Sequence, residues 1–451
     1  MTLHHHSTIS VRKVRSLMAK EHQWPALRTF LSQQHPPALA HLLLSVGGAE
    51  CMLLFRLLPR ALSSEVFAQL QGDDQNRIIA SLTDEEARKL LASLRPDERT
   101  ELFDELPAEV TRRLLSLLNP ADLRETRWLL GYPPQSVGRL MTPDYLALQQ
   151  NWTVQRALGH VRKEAARSEM IDVLYVRSAT WELVGVLTLR MLLIAKPRQN
   201  IEDIMQSNVV SLNASDDQES AVHVMQEHAL AALPVVDSHN VLIGIVTFDD
   251  IMDVAEEETT EDFYRTSGMA PLSTSYAHAD LWNLYSRRVG WLAALVLVNL
   301  ASSGVIAAYE VTLSSAITLA FFIPLLIDSG GNTGSQSAML MIRALATGDV
   351  TASNWLRTLS KEVIVSVMLG LTLALLSAVL GVFRGGPIVG LIIALSMVCI
   401  IIISNLIGSI LPFLLTRMRL DPAVASGPLV TSIVDATSLF IYLSIATALL
   451  T

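Results

Sequence analysis

Uncharged apolar runs in the last third of the chain limit its possible folds more than any other feature. Residues 289–309, 363–383 and 388–416 contain no Asp, Glu, Lys or Arg. Runs of about 18 or more apolar residues are long enough to cross a bilayer as α-helices. The chain has 451 residues, of which 51% are hydrophobic, so it has room for several domains. A purely soluble enzyme, a disulfide scaffold and a disordered chain are therefore excluded, and we expect no enzyme activity.

Charge divides the chain at the same place. Residues 281–451 contain eight basic and six acidic residues, whereas the whole chain has a formal charge of −9, so residues 1–280 carry −11. An acidic soluble part favours cations over nucleic acid or anionic lipid as partners. The chain has two cysteines, Cys51 and Cys399, and they lie in different regions. They indicate neither a disulfide framework nor a thiolate metal site.

Leucine recurs every twelve residues in the first third of the chain, at Leu58, Leu70, Leu82, Leu94, Leu106, Leu118 and Leu130. Helix-start signals such as Asn119-Pro120 follow several of them, because asparagine caps helices and proline suits the first turn. Short helices at a fixed spacing predict an α-solenoid over residues 35–132. It would follow an N-terminal extension over residues 1–34, whose histidine tract we interpret as incidental: His4, His5 and His6.

A second repeat fills residues 133–257. Each copy contains a methionine, a helix, a β-branched strand and a further strand that contains a glycine. Met141 and Gly185 belong to the first copy, and Met205 and Gly244 belong to the second. Short strands that alternate with helices predict two α/β modules.

The two modules resemble a tandem pair of CBS modules, a family that often binds adenosine nucleotides in its clefts. The family's ribose-phosphate motif is a glycine, two apolar residues, a threonine, two further residues and an aspartate. The second copy matches this motif with Gly244, Thr247 and Asp250, whereas Met191 stands at the acidic position of the first copy. The resemblance therefore implies at most one site for ATP or another adenine nucleotide in each chain.

Acidic residues are concentrated in the helical repeat and directly after the second α/β copy, where residues 249–262 include eight acids in fourteen positions. On a helix, several of the latter would share one face. Two interpretations remain open: a solvated, charged linker helix, or a divalent-cation-dependent switch, since hard cations prefer carboxylate oxygens. The candidates for a cytosolic cation site are Asp249, Asp250, Asp253, Glu257, Glu258, Glu261, Asp97 and Glu101.

Five membrane spans fit the last third of the chain, at about 289–309, 313–341, 362–383, 388–416 and 423–450. If Arg287 and Arg288 lie inside, seven of the eight basic residues of this region lie on the inner side, as the positive-inside rule requires. The sequence thus predicts an all-α five-helix transmembrane domain over residues 287–451, with cytosolic soluble domains and the C-terminus outside.

Two of these spans carry unusual polar residues. Asp328, Asn332 and Gln336 are spaced by four in the second span and would line one helix face. Asp435 lies in an otherwise apolar fifth span. Ionisable residues inside a membrane are costly and usually face a transport pathway. We predict a pore cation site formed by Asp435, Asn332 and Asp328; the alternative for Asp435 is a neutral, hydrogen-bonded structural acid.

Together these features resemble the MgtE family of magnesium channels from about residue 35 to the end of the chain. The resemblance rests on the leucine repeat, the α/β pair and four short segments, at residues 132–142, 256–262, 331–336 and 426–428, the last followed by Asp435. It implies a homodimer in the bacterial inner membrane, with the second and fifth helices around a central pore. It further implies that Asp435 holds hydrated Mg²⁺.

The resemblance also implies how such a pore would be gated. A connecting helix over residues 258–286 would act as a plug, and cytosolic Mg²⁺ bound among acidic residues would close the pore. Mg²⁺ gives up its waters reluctantly, so a wide site with one carboxylate from each subunit suits it. Mn²⁺, Co²⁺ and Ni²⁺ are alternative ions.

Three functions are compatible with the sequence. The first is a Mg²⁺-selective channel that mediates uptake down the electrochemical gradient. The second is an ion-coupled secondary transporter of divalent cations, for which inverted repeats are expected; five spans do not divide into two equal halves. The third is a nucleotide-regulated CBS membrane sensor without flux, which polar, glycine-broken spans argue against.

Overall fold

The structure is a computed structural model that describes residues 11–18, 24–46, 48–70, 72–272, 279–351, 354–418 and 420–450. The histidine tract at positions 4–6 lies outside these ranges. The chain divides into two compact units, Met1–Glu256 and Glu257–Thr451. Each is described separately below.

The first unit begins with short helices. Those described are α1 Val11–Met18, α2 Trp24–Ser32, α3 Pro36–Val46, α4 Gly48–Leu57, α5 Arg60–Ala68, α6 Gly72–Ser81, α7 Asp84–Leu91, α8 Pro96–Glu105, α9 Ala108–Leu115 and α10 Pro120–Leu129. Every leucine of the twelve-residue repeat lies just after one of these helices and is buried or partly buried. The predicted cap at Asn119 is present, since its side chain accepts from the backbone N–H groups of Ala121 and Asp122.

Helices α1 and α2 join the same core as the later helices. Val14, Leu27 and Leu31 are fully buried within it. The described helices of the predicted N-terminal extension over residues 1–34 therefore pack their apolar faces against the repeat.

Two small sheets follow. The first contains β1 Ala147–Gln149, β2 Val173–Arg177 and β3 Leu183–Thr188; the second contains β4 Leu212–Asn213, β5 Ala232–Val236 and β6 Leu242–Thr247. In each sheet the first two strands are parallel and the last two antiparallel. The helices between them are α11 Val137–Leu140, α12 Val154–Glu164, α13 Leu189–Ile194 and α14 Gln218–His228. The predicted α/β duplication is thus present.

The two α/β modules exchange their leading segments. A Cβ added to Gly244 would lie 2.7 Å from the sulphur of Met141, and one added to Gly185 would lie 2.5 Å from the sulphur of Met205. Each glycine therefore makes room for the methionine that opens the other copy. This exchange explains why the methionine and the glycine recur in the same order in both copies.

Helix α15, Phe248–Thr266, follows β6 directly. Gly268 takes a left-handed conformation with φ +70°, and the Met269 N–H donates to the Tyr264 carbonyl at 2.9 Å; such a cap ends a helix. The next helix among the described residues begins at Leu281, capped by Asp280. The predicted connecting helix over 258–286 is therefore wrong in its bounds: it starts inside the second α/β module and stops at the glycine cap.

The second unit is helical. Its helices are α16 Leu281–Ala308, α17 Glu310–Ser315, α18 Ile323–Ala346, α19 Trp355–Arg417 and α20 Gly427–Leu450. Among the described residues, α16, α19 and α20 are long and apolar enough to cross a membrane. The predicted second span starts too early, at 313, because a 3₁₀ turn over Ile317–Phe322 precedes α18.

Helix α19 has 63 residues and bends back on itself at Gly386, where φ is +82°. A Cβ on Gly370 would lie 3.3 Å from the Cα of Val398, so the two halves pack closely. Residues 355–385 and 387–417 thus form two antiparallel segments, which we call α19a and α19b. They correspond to the predicted third and fourth spans.

Candidate cation sites

Helix α18 presents two different faces. Asp328, Asn332 and Gln336 are exposed on one face, and the Asn332 amide donates to the Asp328 carboxylate at 3.2 Å. The opposite face is buried and consists of small residues: Gly330, Gly331, Thr333, Gly334, Ser337 and Ala338. The three predicted polar residues therefore form one continuous stripe, which we call the α18 stripe.

Two glycines let α20 approach α18 closely. A Cβ on Gly330 would lie 2.8 Å from the hydroxyl of Ser438, and a Cβ on Gly331 would lie 3.5 Å from Oδ1 of Asp435. Backbones at such a distance need residues without side chains. Ser438 occupies space that is available only because position 330 is a glycine.

Asp435 is the ionisable residue of this contact. Its Oδ1 atom is buried and accepts no hydrogen bond from the residues described, and Asp328 is near enough for the two charges to repel each other. An unpaired buried carboxylate is expensive in an apolar environment. Asp328 therefore lies near Asp435, and Asn332 is hydrogen-bonded to Asp328; the pore cation site itself stays a prediction.

Within the described ranges, no group of three or more His, Cys, Asp or Glu side chains is arranged to hold a metal ion. A hydrated Mg²⁺ does not need such a group, because it keeps several waters and takes one or two carboxylates.

A second set of acids lies in the first unit, between α8 and the start of α15. Burial, followed by repulsion from Glu169, raises the pKa of Asp97 to about 7. Burial, followed by repulsion from Asp97, raises the pKa of Asp250 to about 7. Burial and the neighbouring carboxylates raise the pKa of Glu101 to about 8. These shifts mean that the two helices hold their carboxylates close together, and we call this set, with Asp249 and Asp253, the α8–α15 cluster.

Asp97 is the most enclosed member of the α8–α15 cluster. Its side chain is 9% exposed, and its Oδ1 atom has no hydrogen-bond partner among the described residues. Buried polar atoms normally have a partner. A proton, a water molecule or a cation could therefore supply the missing partner of this oxygen atom.

Sequence reasoning missed two residues of this cluster. Glu169 lies in the loop before β2, where its N–H donates to the Asp144 carbonyl at 2.7 Å, and its carboxylate pairs with Arg95. Arg95 and Glu169 are 74 positions apart, so no local pattern links them. Glu169 lies outside both acidic stretches of the sequence, so only an inspection of every isolated acidic residue could have suggested it.

The remaining predicted sensing residues lie further along α15. Glu257 and Glu258 occupy its middle turns. Glu261 pairs with Arg265, and Arg265 also pairs with Asp421, which precedes α20. The structure therefore places Glu261 in an ion-pair group of its own rather than in the α8–α15 cluster.

The predicted nucleotide residues have local structural partners. Thr247 donates its hydroxyl to the Asp250 carboxylate at 2.5 Å, which caps the start of α15. In the first copy the Thr188 hydroxyl accepts from the backbone of Met191 at 3.2 Å, so position 191 has the same place in its helix. Gly244 packs against Met141 as described above.

Comparison with known proteins extends over both units. A family model described as MgtE intracellular N domain matches residues 34–135, a CBS domain model matches residues 201–257, and a model described as divalent cation transporter matches residues 323–445. Among solved structures, the cytosolic domain of the Mg²⁺ channel MgtE in complex with ATP is 32% identical with a TM-score of 0.51. That likeness covers 55% of this chain and 99% of that one.

Curated relatives match over the membrane unit as well. The magnesium transporter MgtE of Bacillus subtilis is 35% identical over 337 residues, which cover 74% of each chain. The magnesium transporter MgtE of Thermus thermophilus is 37% identical over 428 residues, which cover 94% of this chain and 95% of that one. Because this likeness runs through the helical repeat, the CBS pair and the membrane helices alike, the chain belongs to the MgtE family.

Proposed function

We propose that this protein is a Mg²⁺-selective channel that lets Mg²⁺ enter the cell down its electrochemical gradient. The observation that carries the proposal is the partly buried carboxylate of Asp435 beside the α18 stripe, whose buried Oδ1 atom accepts no hydrogen bond from the described residues. Carboxylates inside a membrane unit mark ion pathways, and a negative ring favours cations over anions. The names of the curated relatives, magnesium transporters, point to the same ion.

The working unit in this proposal is a homodimer in the bacterial inner membrane. The α18 stripe is exposed on the single chain, yet polar side chains in a membrane need protein or water against them. A second copy would face the stripe with an identical one and bring two Asp435 residues around one axis. Two carboxylates and a shell of retained waters suit Mg²⁺.

Flux through proteoliposomes tests the proposal. Asp435→Asn keeps the size of the side chain and removes its charge, and we expect it to abolish most Mg²⁺ flux. Asp349→Asn is the matched control, since Asp349 is an exposed acid in the loop after α18. Wild-type flux from the Asp435→Asn protein would reject the proposal. Flux that persists without any other ion gradient would separate a channel from an ion-coupled transporter.

We further propose that cytosolic Mg²⁺ closes the channel by binding to the α8–α15 cluster. The crowded carboxylates repel one another when bare, and Mg²⁺ between them removes that repulsion. Only a difference in Mg²⁺ affinity between the open and the closed state can drive such a change. Helix α15 runs from this cluster to the Arg265 group beside α20, which supports its role as the gating plug.

A nucleotide site in the second CBS module is favoured by one comparison. The solved relative with a TM-score of 0.51 carries ATP in its cytosolic domain, and Thr247 and Asp250 match the ribose-phosphate motif of that module. We propose that one adenine nucleotide binds each chain there. Calorimetry with ATP should give a binding signal that Asp250→Ala removes, and no heat at millimolar ATP would contradict the proposal.

A further inference from the structure

A polar network lies inside the membrane unit, away from Asp435. Asn405 of α19b is 4% exposed. Its amide donates to the Glu362 carboxylate at 2.9 Å, to the Glu362 carbonyl at 3.1 Å and to the Ser366 hydroxyl at 2.7 Å. Glu362 and Ser366 belong to α19a. The two halves of α19 are thus joined by a charge-assisted hydrogen bond in an otherwise apolar hairpin.

The same network continues to α18. The Asn405 carbonyl accepts from the hydroxyls of Ser337 at 3.2 Å and Ser409 at 2.9 Å, and these two hydroxyls are 2.6 Å apart. Ser337 is on the buried face of α18, five residues after Asn332. An unbroken chain of contacts therefore runs from Glu362 through Asn405 to the helix that carries the α18 stripe.

Close backbone packing makes this contact rigid. A Cβ on Gly408 of α19b would overlap the carbonyl oxygen of Gly334 on α18. Gly334 is only two residues from Asn332. Because the two backbones are in contact there, α19b cannot shift relative to α18 without a steric clash. A shift of α19b would therefore move the α18 stripe itself.

Glu362 is partly buried and lies at the start of α19a's apolar stretch, directly after the exposed Lys361. Glu362 is seven residues into α19a, or about 10 Å along the helix from Trp355, whose ring stacks on Phe413 with centroids 4.5 Å apart. Val363 and Ile364 follow it directly. Ionisable residues in such segments usually serve a function, and Glu362 contacts Asn405 rather than the Asp435 region.

We propose that Glu362 is a positioning residue of the ion pathway: through Asn405 and Ser337 it fixes the register of α18 and thereby the placement of Asp328 and Asn332. The proposal rests on the proposed channel function. It assigns Glu362 no contact with the ion. A hydrogen-bond acceptor of the same shape, such as glutamine, should therefore serve almost as well as the carboxylate.

Proteoliposome flux of the full-length protein distinguishes these roles. Glu362→Ala should lower maximal Mg²⁺ flux about tenfold and weaken the preference for Mg²⁺ over Na⁺, because the α18 stripe is displaced. Glu362→Gln should retain at least about half of the flux with wild-type ion preference. The internal Mg²⁺ concentration that closes the channel should be the same in both. Glu310→Gln is the matched control, a neutralised acid of α17 outside the network.

Ser337→Ala keeps the proposal testable if Glu362→Ala does not fold. It removes one hydroxyl from α18, and we expect the same change in ion preference with a smaller loss of flux. Equal loss in Glu362→Gln and Glu362→Ala would overturn the proposal, because the charge itself would then act on the ion. Wild-type flux and ion preference in Glu362→Ala and Ser337→Ala would also overturn it. Failure of the channel function would appear separately, as undiminished flux in Asp435→Asn.

Discussion

The pore region and the α8–α15 cluster both use carboxylates, but they hold them differently. Around Asp435 the acids are few, and glycines at positions 330 and 331 let the helices approach closely. In the cluster many acids crowd around Arg95, and burial and repulsion raise the pKa of several of them. A single carboxylate held at a fixed position between two closely packed helices is suited to selecting an ion. An overcrowded set is suited to sensing one, because each bound cation relieves repulsion.

The sharpest test of this difference is to neutralise one acid in each region. Asp435→Asn should lower Mg²⁺ flux by far more than tenfold at any internal Mg²⁺ concentration, since it removes the carboxylate that lies at the contact of α18 with α20. Asp97→Asn should leave maximal flux unchanged. Radiotracer or fluorescent Mg²⁺ flux in proteoliposomes with defined internal Mg²⁺ measures both. A loss of maximal flux in Asp97→Asn would show that the two regions do not have separate tasks.

The cluster itself can be weakened with two substitutions. Asp97→Asn combined with Glu101→Gln should raise the internal Mg²⁺ needed for half-closure about tenfold at pH 7. The two substitutions remove two carboxylates that Mg²⁺ would bridge, so the closed state should lose more Mg²⁺ affinity than the open state. Glu109→Gln, an exposed acid of α9, is the control, and an unmoved closing curve would remove the cluster from the sensor.

The sequence predicted what depends on local spacing and missed what depends on tertiary packing. The four-residue spacing of the α18 stripe and the order of methionine and glycine in the CBS pair were readable, because helix periodicity and duplication are local. Glu169 was not, since its partner Arg95 is 74 positions away. Glu362 was placed at the start of a span but given no role, because Asn405 is 43 positions away.

The bounds of α15 also depend partly on tertiary packing that the sequence does not reveal. The resemblance to the MgtE family implied a connecting helix over residues 258–286, although the acidic run of the sequence ends at Asp262. The structure ends it at a left-handed glycine, Gly268, where an added Cβ would overlap the indole of Trp291 on α16. Gly268 and Pro271 are local stop signals, whereas the contact with Trp291 is the tertiary part of the stop, which no local pattern gives.

The ion pairs of Arg265 with Glu261 and Asp421 offer a further test, with a smaller expected effect, of whether α15 is coupled to the membrane helices. Arg265→Glu would place a third acid beside Glu261 and Asp421 and should raise the internal Mg²⁺ needed for closure. Half-exposed ion pairs are worth about 1 kcal/mol or less, which corresponds to a shift of up to about fivefold. The charge exchange Arg265→Asp with Asp421→Arg should restore the wild-type closing curve. If the exchange behaves like the single variant, the ion pair does not couple α15 to α20.

The smallest expected effect is a pH dependence of the α8–α15 cluster. The ordinary pKa of Asp is 3.8, and in the folded protein that of Asp97 is about 7. Between these values the folded state binds more protons than the unfolded state, so the stability of the Mg²⁺-free cluster falls as pH rises from about 4 to about 7 and levels off above.

Mg²⁺ must displace these protons, so it should bind more tightly at pH 8 than at pH 6. Hydrogen exchange of α8 in the full-length protein, corrected for the intrinsic rate, measures this directly. Added Mg²⁺ should increase the protection of α8 more at pH 8 than at pH 6, by a few-fold. Asp97→Asn with Asp250→Asn should flatten the difference, because the two carboxyls whose pKa burial raises to about 7 are then absent. Equal protection at both pH values in the unaltered protein would mean that Mg²⁺ and protons do not compete for these carboxylates, and that the cation binds elsewhere on the acidic surface.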